Sequence, residues 1–461
     1  MEAEARPDGA ARPARGTLRA LLALAWPVVV SRSTQVVIGA ADAIMVSHLG
    51  PEPLAATTAG ALNAIAVFVL PMGTVFIVSS FSSQLFGMGD LRGARRYAWY
   101  GLAVAVAAQG FALLAIPLLP AALGALPYAP GVRDAMGGYL ALRLPSAGAV
   151  VGLEALANYY GGLGNTRRPM VASVAAMVLT VAGNWVLIDG RLGAPALGPR
   201  GAALANALST GAAFVGLLVP FLREGRRPGT GRLRAAELGR LLRFGLPVGV
   251  NWFLEFAAFA FFLNVVVAGL GTTSVAAMTV VIQVNSAAFM PAFGLASAGA
   301  ILVGQAIGAR RQDRVPRLVA LTFGVAAAWE TLVALAYVAA PELVLSAFAR
   351  DPASAAELIE VGRRMLYVSA AWQLGDAGAG VLFEALRAAG DTAFPMWARV
   401  ALAWLVFAPG SFVSVRLLGG GGATAVGWFV AYLGGLALVL LVRFRSGAWR
   451  RIALVEPSPV A

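Results

Sequence analysis

The first long apolar run of the chain, residues 20–47, reads ALLALAWPVVVSRSTQVVIGAADAIMVS. It is longer than the roughly 20 residues that an α-helix needs to cross the hydrocarbon core of a bilayer. A second run at 240–269 repeats its opening, because Trp26-Pro27-Val28 recurs as Leu246-Pro247-Val248. The sequence therefore predicts membrane-spanning helices and a chain of two related halves.

Composition favours a membrane protein with many spans. Of 461 residues, 59% are hydrophobic and 12% are charged, against roughly a quarter charged in soluble domains. The mean hydropathy is +0.78. At about 20 residues a span, the chain has room for about a dozen crossings and for no sizeable soluble domain. The continuous apolar runs and 54 glycines favour closely packed helices over a barrel of alternating strands.

Apolar runs separated by Gly, Pro and Arg predict an all-α membrane protein of twelve transmembrane helices in two six-helix lobes. Because each lobe has an even number of spans, the lobes form a parallel pseudo-two-fold repeat. The predicted segments are a cytoplasmic tail (1–19), an N-lobe (20–222), a cytoplasmic linker (223–239), a C-lobe (240–445) and a cytoplasmic tail (446–461). Spans are predicted near 20–47, 54–86, 96–120, 135–163, 169–189, 200–222, 240–269, 275–307, 318–340, 356–388, 394–416 and 423–445. The first run is too long for the apolar core of a signal peptide, so we interpret it as an uncleaved helix.

Two further motifs support the repeat. Gln84-Leu85-Phe86-Gly87 matches Gln305-Ala306-Ile307-Gly308, and each precedes a loop that carries arginines. Gly164-Asn165-Thr166 matches Gly390-Asp391-Thr392. Three matches in the same order predict that the lobes share a scaffold and face each other across a central cavity.

The distribution of charge predicts the topology. The Lys+Arg count of 35 consists of arginine, and most of these residues fall in one set of loops and tails, which the positive-inside rule places in the cytoplasm together with both termini. The net charge of +13 does not indicate nucleic-acid binding, because no soluble basic domain is present. With no cysteine and a single histidine, His48, we expect no disulfide, haem or thiolate metal site.

Three acidic residues inside spans are the principal candidate site residues: Asp42, Glu255 and Asp376. A charge at the centre of a membrane helix costs about 3 kcal/mol or more. The repeat does not duplicate these residues, which indicates a function beyond the shared scaffold. A carboxylate in a poorly solvated cavity can bind a proton or help to coordinate Na⁺. The alternative is a structural carboxylate held by a helix dipole, a hydroxyl group or an arginine.

Other polar residues inside spans are weaker candidates. Arg32 is ten residues from Asp42, so direct contact is not expected and its partner is open; Arg399 also lies inside a span. Glu154, Glu330 and Glu384 could contribute to the site, with a structural role as an equal alternative, and Glu384, near the cytoplasmic end of its span, could be solvated. The remaining candidates are expected to form interhelical hydrogen bonds, some of them to ligand: Asn184, Asn206, Gln283 and Asn285.

The motifs together resemble the multidrug and toxic compound extrusion (MATE) family, in particular its NorM-like branch, from about Leu21 to Arg445. The matching stretches include ADAIMVSHLGPEPLAA at 41–56, GGLGNTRRP at 161–169, MPAFGLASAGAILVGQAIGA at 290–309 and DAGAGVLFEALRAAGDTAFP at 376–395. The resemblance implies a twelve-helix, two-lobe fold that exports amphipathic or cationic compounds in exchange for Na⁺ or H⁺.

The resemblance also implies roles for particular residues. Asp42 matches the acidic position of the family's first helix, and Gln35 and Asn184 match polar positions of its N-lobe cavity. Glu255 and Asp376 match a C-lobe acidic pair linked to cation coupling, where Na⁺ is a possible ligand. Gln283, Asn285 and Trp372 are secondary cavity candidates.

Two departures from the family pattern keep the coupling ion open. Trp372 stands four residues before Asp376, where NorM-like relatives tend to carry a tyrosine that could ligate a cation. Asp189 follows Asn184 by five residues, one more than the Asn/Asp spacing of some relatives, so it is not assigned to their N-lobe site.

The predicted function is a secondary active multidrug exporter in the cytoplasmic membrane of a prokaryote, a monomer rather than an enzyme, with no cofactor besides the coupling ion. The absence of lysine and of a phosphate-binding loop argues against nucleotide-driven transport. A lipid-linked saccharide flippase of the same superfamily is one alternative, although it would need basic residues in its cavity. A polytopic membrane enzyme and a non-transporting receptor are alternatives of other classes.

Overall fold

The computed structural model describes residues 17–125, 128–224, 233–346 and 352–455. This part of the chain is helical and contains no strand. Parts of the predicted tails and linker, residues 1–16, 225–232 and 456–461, lie outside it. Its first half contains six helices long and apolar enough to cross a membrane: α1 (Leu18–Ser47), α2 (Pro51–Met88), α3 (Leu91–Gly124), α4 (Pro130–Gly162), α5 (Arg167–Leu187) and α6 (Pro199–Glu224).

The second half repeats this arrangement. Five further helices are long and apolar enough to cross a membrane: α7 (Ala235–Leu270), α8 (Thr273–Gly308), α9 (Gln312–Ala339), α11 (Ala393–Leu417) and α12 (Gly422–Arg445). Between α9 and α11, two shorter helices, α10a (Pro352–Ala370) and α10b (Gln373–Ala388), together form α10. The predicted twelve-helix membrane fold is confirmed.

Local sequence explains where several helices begin. The Thr17 hydroxyl accepts a hydrogen bond from the backbone N–H of Ala20 at the start of α1 (3.3 Å). The Asp90 carboxylate accepts one from the N–H of Gly93 at the start of α3 (2.7 Å). Such caps satisfy N–H groups that have no partner within the helix. Gly50, with φ of 109°, makes the turn before α2, a conformation that side-chain-bearing residues rarely adopt.

The tenth span, which the sequence predicts near 356–388, is interrupted. At the interruption the N–H of Ala371 donates to the carbonyl of Val368 (3.1 Å) and that of Trp372 to Ser369 (3.2 Å). These bonds reach back three residues rather than four, so the α-helical ladder stops. It restarts where the N–H of Asp376 donates to the carbonyl of Trp372 (2.8 Å). No Gly or Pro at 371–372 marks this turn in the sequence.

Most of the core is apolar and divides along the chain. One buried cluster runs mainly from Ala258 to Trp449, and two others are built mainly from the first six helices. Leu241 of α7 and Leu454, which follows α12, belong to a first-half cluster. The start of the predicted C-lobe and the tail that follows it thus pack against the N-lobe.

Glycines bring the two lobes into close contact. α1 packs on α8, and α2 packs on α7. A Cβ atom added to Gly73 of α2 would lie 2.7 Å from the Cα of Gly249 of α7. One added to Gly245 or to Gly308 would overlap the carbonyl of Thr74 or of Gln84. Small residues at these positions let the backbones approach closely, as in other membrane helix pairs.

The repeated glutamines join the lobes at the end where α1 begins and α12 ends, which we name the terminal end. Gln84 of α2 donates to the carbonyl of Ala388 (2.7 Å), and Gln305 of α8 donates to the carbonyl of Gly162 (3.1 Å). Both side chains are at least 95% buried. The motif that revealed the repeat therefore forms two reciprocal bonds that seal the lobes together at this end.

Candidate ion and substrate site

Asp42 is the centre of a polar site in the N-lobe. It is 9% exposed on α1. Its Oδ1 accepts a hydrogen bond from the Asn184 amide of α5 (2.6 Å), and its Oδ2 accepts one from the Asn206 amide of α6 (2.9 Å). The structure therefore brings together three predicted residues, Asp42, Asn184 and Asn206. The Oδ1 atom of Asn184 has no hydrogen-bond partner among the described residues.

Two neighbouring contacts complete this part of the N-lobe. One turn from the amides, the hydroxyls of Thr180 and Ser209 lie 2.6 Å apart and tie α5 to α6. Arg143 of α4 interacts electrostatically with Asp42 without a direct hydrogen bond. A cation near a carboxylate favours its charged form, so the Asp42 site combines two neutral donors with a nearby positive charge.

The C-lobe site is built around an arginine. Nη1 of Arg399, on α11, donates to Oε2 of Glu255, on α7, at 2.5 Å. Asp376, in the first turn of α10b, interacts electrostatically with both Arg399 and Glu255. The predicted acidic pair is thus assembled with a guanidinium that the sequence analysis placed inside a span without assigning it a role. The side chain of Glu255 is 42% exposed and that of Arg399 14%.

Asp376 lies at an interrupted helix. The backbone N–H groups at the start of a helix lack partners, and the helix dipole favours negative charge there. Broken helices whose ends point at ions or substrates are a recurring device of membrane transporters. The interruption before Gln373 therefore suits the position of an acidic residue.

A buried amide cluster holds both sides of the interruption. Nε2 of Gln373 donates to Oδ1 of Asn285 on α8 (2.7 Å), and Asn285 also contacts the hydroxyl of Ser369 (3.4 Å). Gln373 and Asn285 are at least 90% buried. Gln373 was missed by sequence reasoning, although its position three residues before Asp376 could have indicated it.

The other secondary candidates lie in different surroundings. Gln283 is exposed two residues before Asn285, and so points away from the amide cluster. The Trp372 indole packs against Phe429, with ring centroids 5.3 Å apart. Gln35 is exposed and lines a cavity of about 100 Å³.

Arg32, which lines the same cavity, has its partner on another helix. Its guanidinium donates twice to Glu154 of α4, at 2.8 and 3.3 Å, and lies 5.5 Å from the ring centroid of Phe76. The Asn158 amide donates to the same carboxylate (2.9 Å). The partner of Arg32, which the sequence left open, is therefore Glu154, 122 positions away.

Glu384 is buried, so the solvated interpretation of this residue is wrong. It is 2% exposed and pairs with Arg387 of the same helix at 2.5 Å. Arg387 also donates to the Phe76 carbonyl (3.2 Å) and to the Ser80 hydroxyl (3.0 Å) in the other lobe. The Phe76 carbonyl accepts this bond where α2 is locally irregular, since the Ser80 N–H bonds to the next carbonyl, that of Ile77. The pair is buried because it helps to seal the lobes.

Asp189 lies outside the Asp42 site. It bonds to His48 (2.8 Å) and to Arg191 (3.0 Å) at the end of the molecule opposite the terminal end. A larger cavity of about 790 Å³ lies at the terminal end and is lined by Arg240, Arg243 and other residues of the C-lobe and its tail. The acidic candidates therefore do not line the larger cavity.

The fold and the site define a class of protein. A bundle of two similar six-helix lobes, sealed at one end and carrying ionisable groups inside each lobe, is the architecture of a two-lobed membrane transporter. The chain belongs to the MatE family, whose family model matches residues 27–186 and 247–413. The resemblance drawn from its motifs is confirmed.

Relatives share most of the chain. The probable multidrug resistance protein NorM of Pseudomonas putida is 29% identical over 455 residues, which are 96% of each chain. The protein of the same description from Mesorhizobium japonicum is 30% identical over 446 residues, 92% of each chain.

Solved structures share the fold. A crystal structure of MATE in complex with MaL6 superposes with a TM-score of 0.84 at 20% identity, over 94% of this chain and 97% of that one. The crystal structure of the eukaryotic MATE transporter AtDTX14 gives a TM-score of 0.82 at 16% identity, over 95% and 98%.

Proposed function

We propose that the protein is a secondary active exporter that expels amphipathic or cationic organic compounds and takes up protons in return. The observation that carries the proposal is the C-lobe group of Glu255, Arg399 and Asp376, in which two carboxylates and one guanidinium share a site inside the membrane span. Intramembrane ionisable residues mark ion pathways and proton relays. Relatives described as multidrug resistance proteins support the substrate class.

The arginine favours H⁺ over Na⁺ as the coupling ion. Arg399 already occupies a cation position beside Glu255, at 2.5 Å. A sodium ion on the same carboxylate would lie next to the guanidinium and be repelled by it. A proton adds no separate cation: it neutralises a carboxylate and weakens the attraction of that group to Arg399. Proton uptake can therefore change how α7, α10 and α11 hold together.

The state described is outward-facing if both termini are cytoplasmic, as the arginine distribution predicts. The bonds of Gln84, Gln305 and Arg387 then close the cytoplasmic side. Export requires these bonds to break so that substrate can enter from the cytoplasm. Protonation in the outward-facing state would favour substrate release and return to the inward-facing state.

The alternatives fit the site less well. A flippase for pyrophosphate-linked lipids would need an excess of cationic groups in its cavity, whereas Arg32, Arg387 and Arg399 each pair with a glutamate and Arg143 interacts with Asp42. Asp376 is a further acidic residue beside the Glu255–Arg399 pair. We also propose that the protein acts as a monomer in a prokaryotic cytoplasmic membrane.

The test is efflux of a cationic dye from proteoliposomes under an imposed pH gradient, for the wild type and the variants Glu255→Gln and Asp376→Asn. We expect each variant to lose most gradient-driven transport, because neither amide can accept a proton in this pH range. Asp189→Asn is a matched control, since Asp189 bonds to His48 and Arg191 away from the site. Unchanged transport by the Glu255→Gln, Asp376→Asn double variant would overturn the assignment.

A further inference from the structure

Glu330 of α9 is a buried carboxyl group without a partner. It is 0% exposed, and neither of its carboxyl oxygens has a hydrogen-bond partner among the described residues. The carboxylates of Asp42, Glu154 and Glu384 differ, since each accepts hydrogen bonds from amide or guanidinium groups. A charged carboxylate buried without donors is strongly unfavourable, so burial favours the neutral acid. Glu330 is therefore a candidate proton-carrying group.

Its position along α9 places it beside the interrupted helix. A Cβ atom on Gly378 of α10b would lie 3.6 Å from the ring of Phe323 on α9. Consecutive spans are antiparallel, and seven residues separate Phe323 from Glu330, about 10 Å of helix rise. This distance brings Glu330 level with the turn at Ala371 and Trp372, where the backbone of α10 already departs from the helical ladder.

Asp376 is the nearest charged influence on Glu330. The two carboxyl groups interact electrostatically across the α9–α10 contact. The other helix that packs closely there, α8, contains no ionisable residue. On α9 itself, Tyr337 interacts with Glu330, and its hydroxyl also lacks a partner among the described residues. Two other ionisable residues of the elements packed on α9, Glu384 and Arg387, pair with each other. The rest lie towards the end opposite the terminal end: Glu342, Glu357, Glu360, Arg363, Arg364 and Tyr367.

We propose that Glu330 is a second proton-binding carboxyl of the C-lobe that passes its proton to Asp376 during the transport cycle. The step takes place in a conformation of the cycle that brings the two carboxyl groups within hydrogen-bond distance: the O–H bond of Glu330 breaks, an O–H bond forms on Asp376, and the negative charge moves to Glu330, so no further reactant is needed. Neutralised Asp376 is no longer attracted to Arg399. The proposal rests on proton-coupled export as the function. Na⁺ does not fit Glu330, because a hard cation takes several oxygen ligands and neither carboxyl oxygen has a polar partner among the described residues.

Infrared spectroscopy of the purified full-length protein tests the protonation directly. The difference spectrum of the wild type minus Glu330→Gln at neutral pH is expected to contain a C=O band of a protonated carboxyl group, which shifts in D₂O. Glutamine is isosteric with the neutral acid, so the variant is expected to fold. Tyr337→Phe, on the same helix and also buried without a partner, is the matched control and should keep the band. A spectrum without such a band overturns the proposal.

Transport tests the transfer step. In proteoliposomes under one pH gradient, Glu330→Gln is expected to bind dye normally but to transport it at least about tenfold more slowly, as positioned proton transfer commonly contributes more than this. It should also release one proton fewer per dye molecule bound. Unchanged transport and proton release in the variant, beside an active wild type, would show a merely structural residue. An inactive wild type would instead overturn the proposed function, while the infrared band separately decides the state of Glu330.

Discussion

Removing the two reciprocal glutamine bonds should open the terminal end of the protein. Gln84→Ala and Gln305→Ala each delete one buried bond to a carbonyl of the opposite lobe, at 2.7 and 3.1 Å. Such a bond contributes about 0.5–1.5 kcal/mol net, and more where a buried carbonyl is left unsatisfied. Both bonds exist only while the lobes are sealed. The double variant should therefore destabilise the sealed state by roughly 2 kcal/mol, which is about thirtyfold in the equilibrium between states.

The absence of cysteine makes the assay simple. Met88 and Arg310 are exposed near the ends of α2 and α8, so Met88→Cys and Arg310→Cys provide the two sites for spin labels. Electron–electron distance measurements should give one short distance in the otherwise unaltered protein. In the Gln84→Ala, Gln305→Ala background, a second and longer distance should become populated.

The matched control is Asn63→Ala. Asn63 is a partly buried amide that donates to the carbonyl of Ala59 in its own helix (2.8 Å) and contacts Met136 of the same lobe. Its loss should leave the distance distribution unchanged. If the double glutamine variant kept the single short distance, the two bonds would not hold the lobes together, and the account of the seal would be wrong.

Two further substitutions test packing. Arg32→Met should lower the free energy of unfolding by about 2–3 kcal/mol, somewhat less than for a fully buried pair because Arg32 is 23% exposed. The double variant Arg32→Met, Glu154→Met should recover most of this stability. Thermal unfolding in detergent measures both variants, and a double variant as unstable as the single one would contradict the pairing. Gly73→Ala should lower the free energy of unfolding by about 1–3 kcal/mol, because the added Cβ forces α2 away from Gly249. Gly39→Ala should leave the free energy of unfolding unchanged, because its Cβ meets nothing within 4 Å. Equal stability of the two variants would contradict the close contact.

The sequence was sufficient for the fold because hydropathy reports burial in a bilayer directly. Twelve apolar runs and three repeated motifs predicted the helices and their two-fold relation. One of those motifs contains Gln84 and Gln305, but the sequence did not predict the bonds that these residues form between the lobes. The interruption before Gln373 was not predictable from the sequence, because no Gly or Pro at 371–372 marks the turn.

The site was predictable by residue type but not by partner. Charges inside spans identified Asp42, Glu255 and Asp376, and the structure places hydrogen-bond donors or an arginine near each. The pairs Arg32–Glu154 and Glu255–Arg399 join residues more than 120 positions apart, and no local spacing encodes such contacts. Because partners are not encoded locally, the sequence could not distinguish Glu330, which has no partner among the described residues, from the carboxylates that have one.

The most direct test of the central claim is a comparison of ion gradients across proteoliposomes that contain the wild-type protein. Accumulation of a cationic dye is measured once under a pH gradient without sodium, and once under a sodium gradient at equal pH. The arginine beside Glu255 predicts transport under the pH gradient and little under the sodium gradient. Transport driven by sodium alone would contradict proton coupling through Glu255, Arg399 and Asp376.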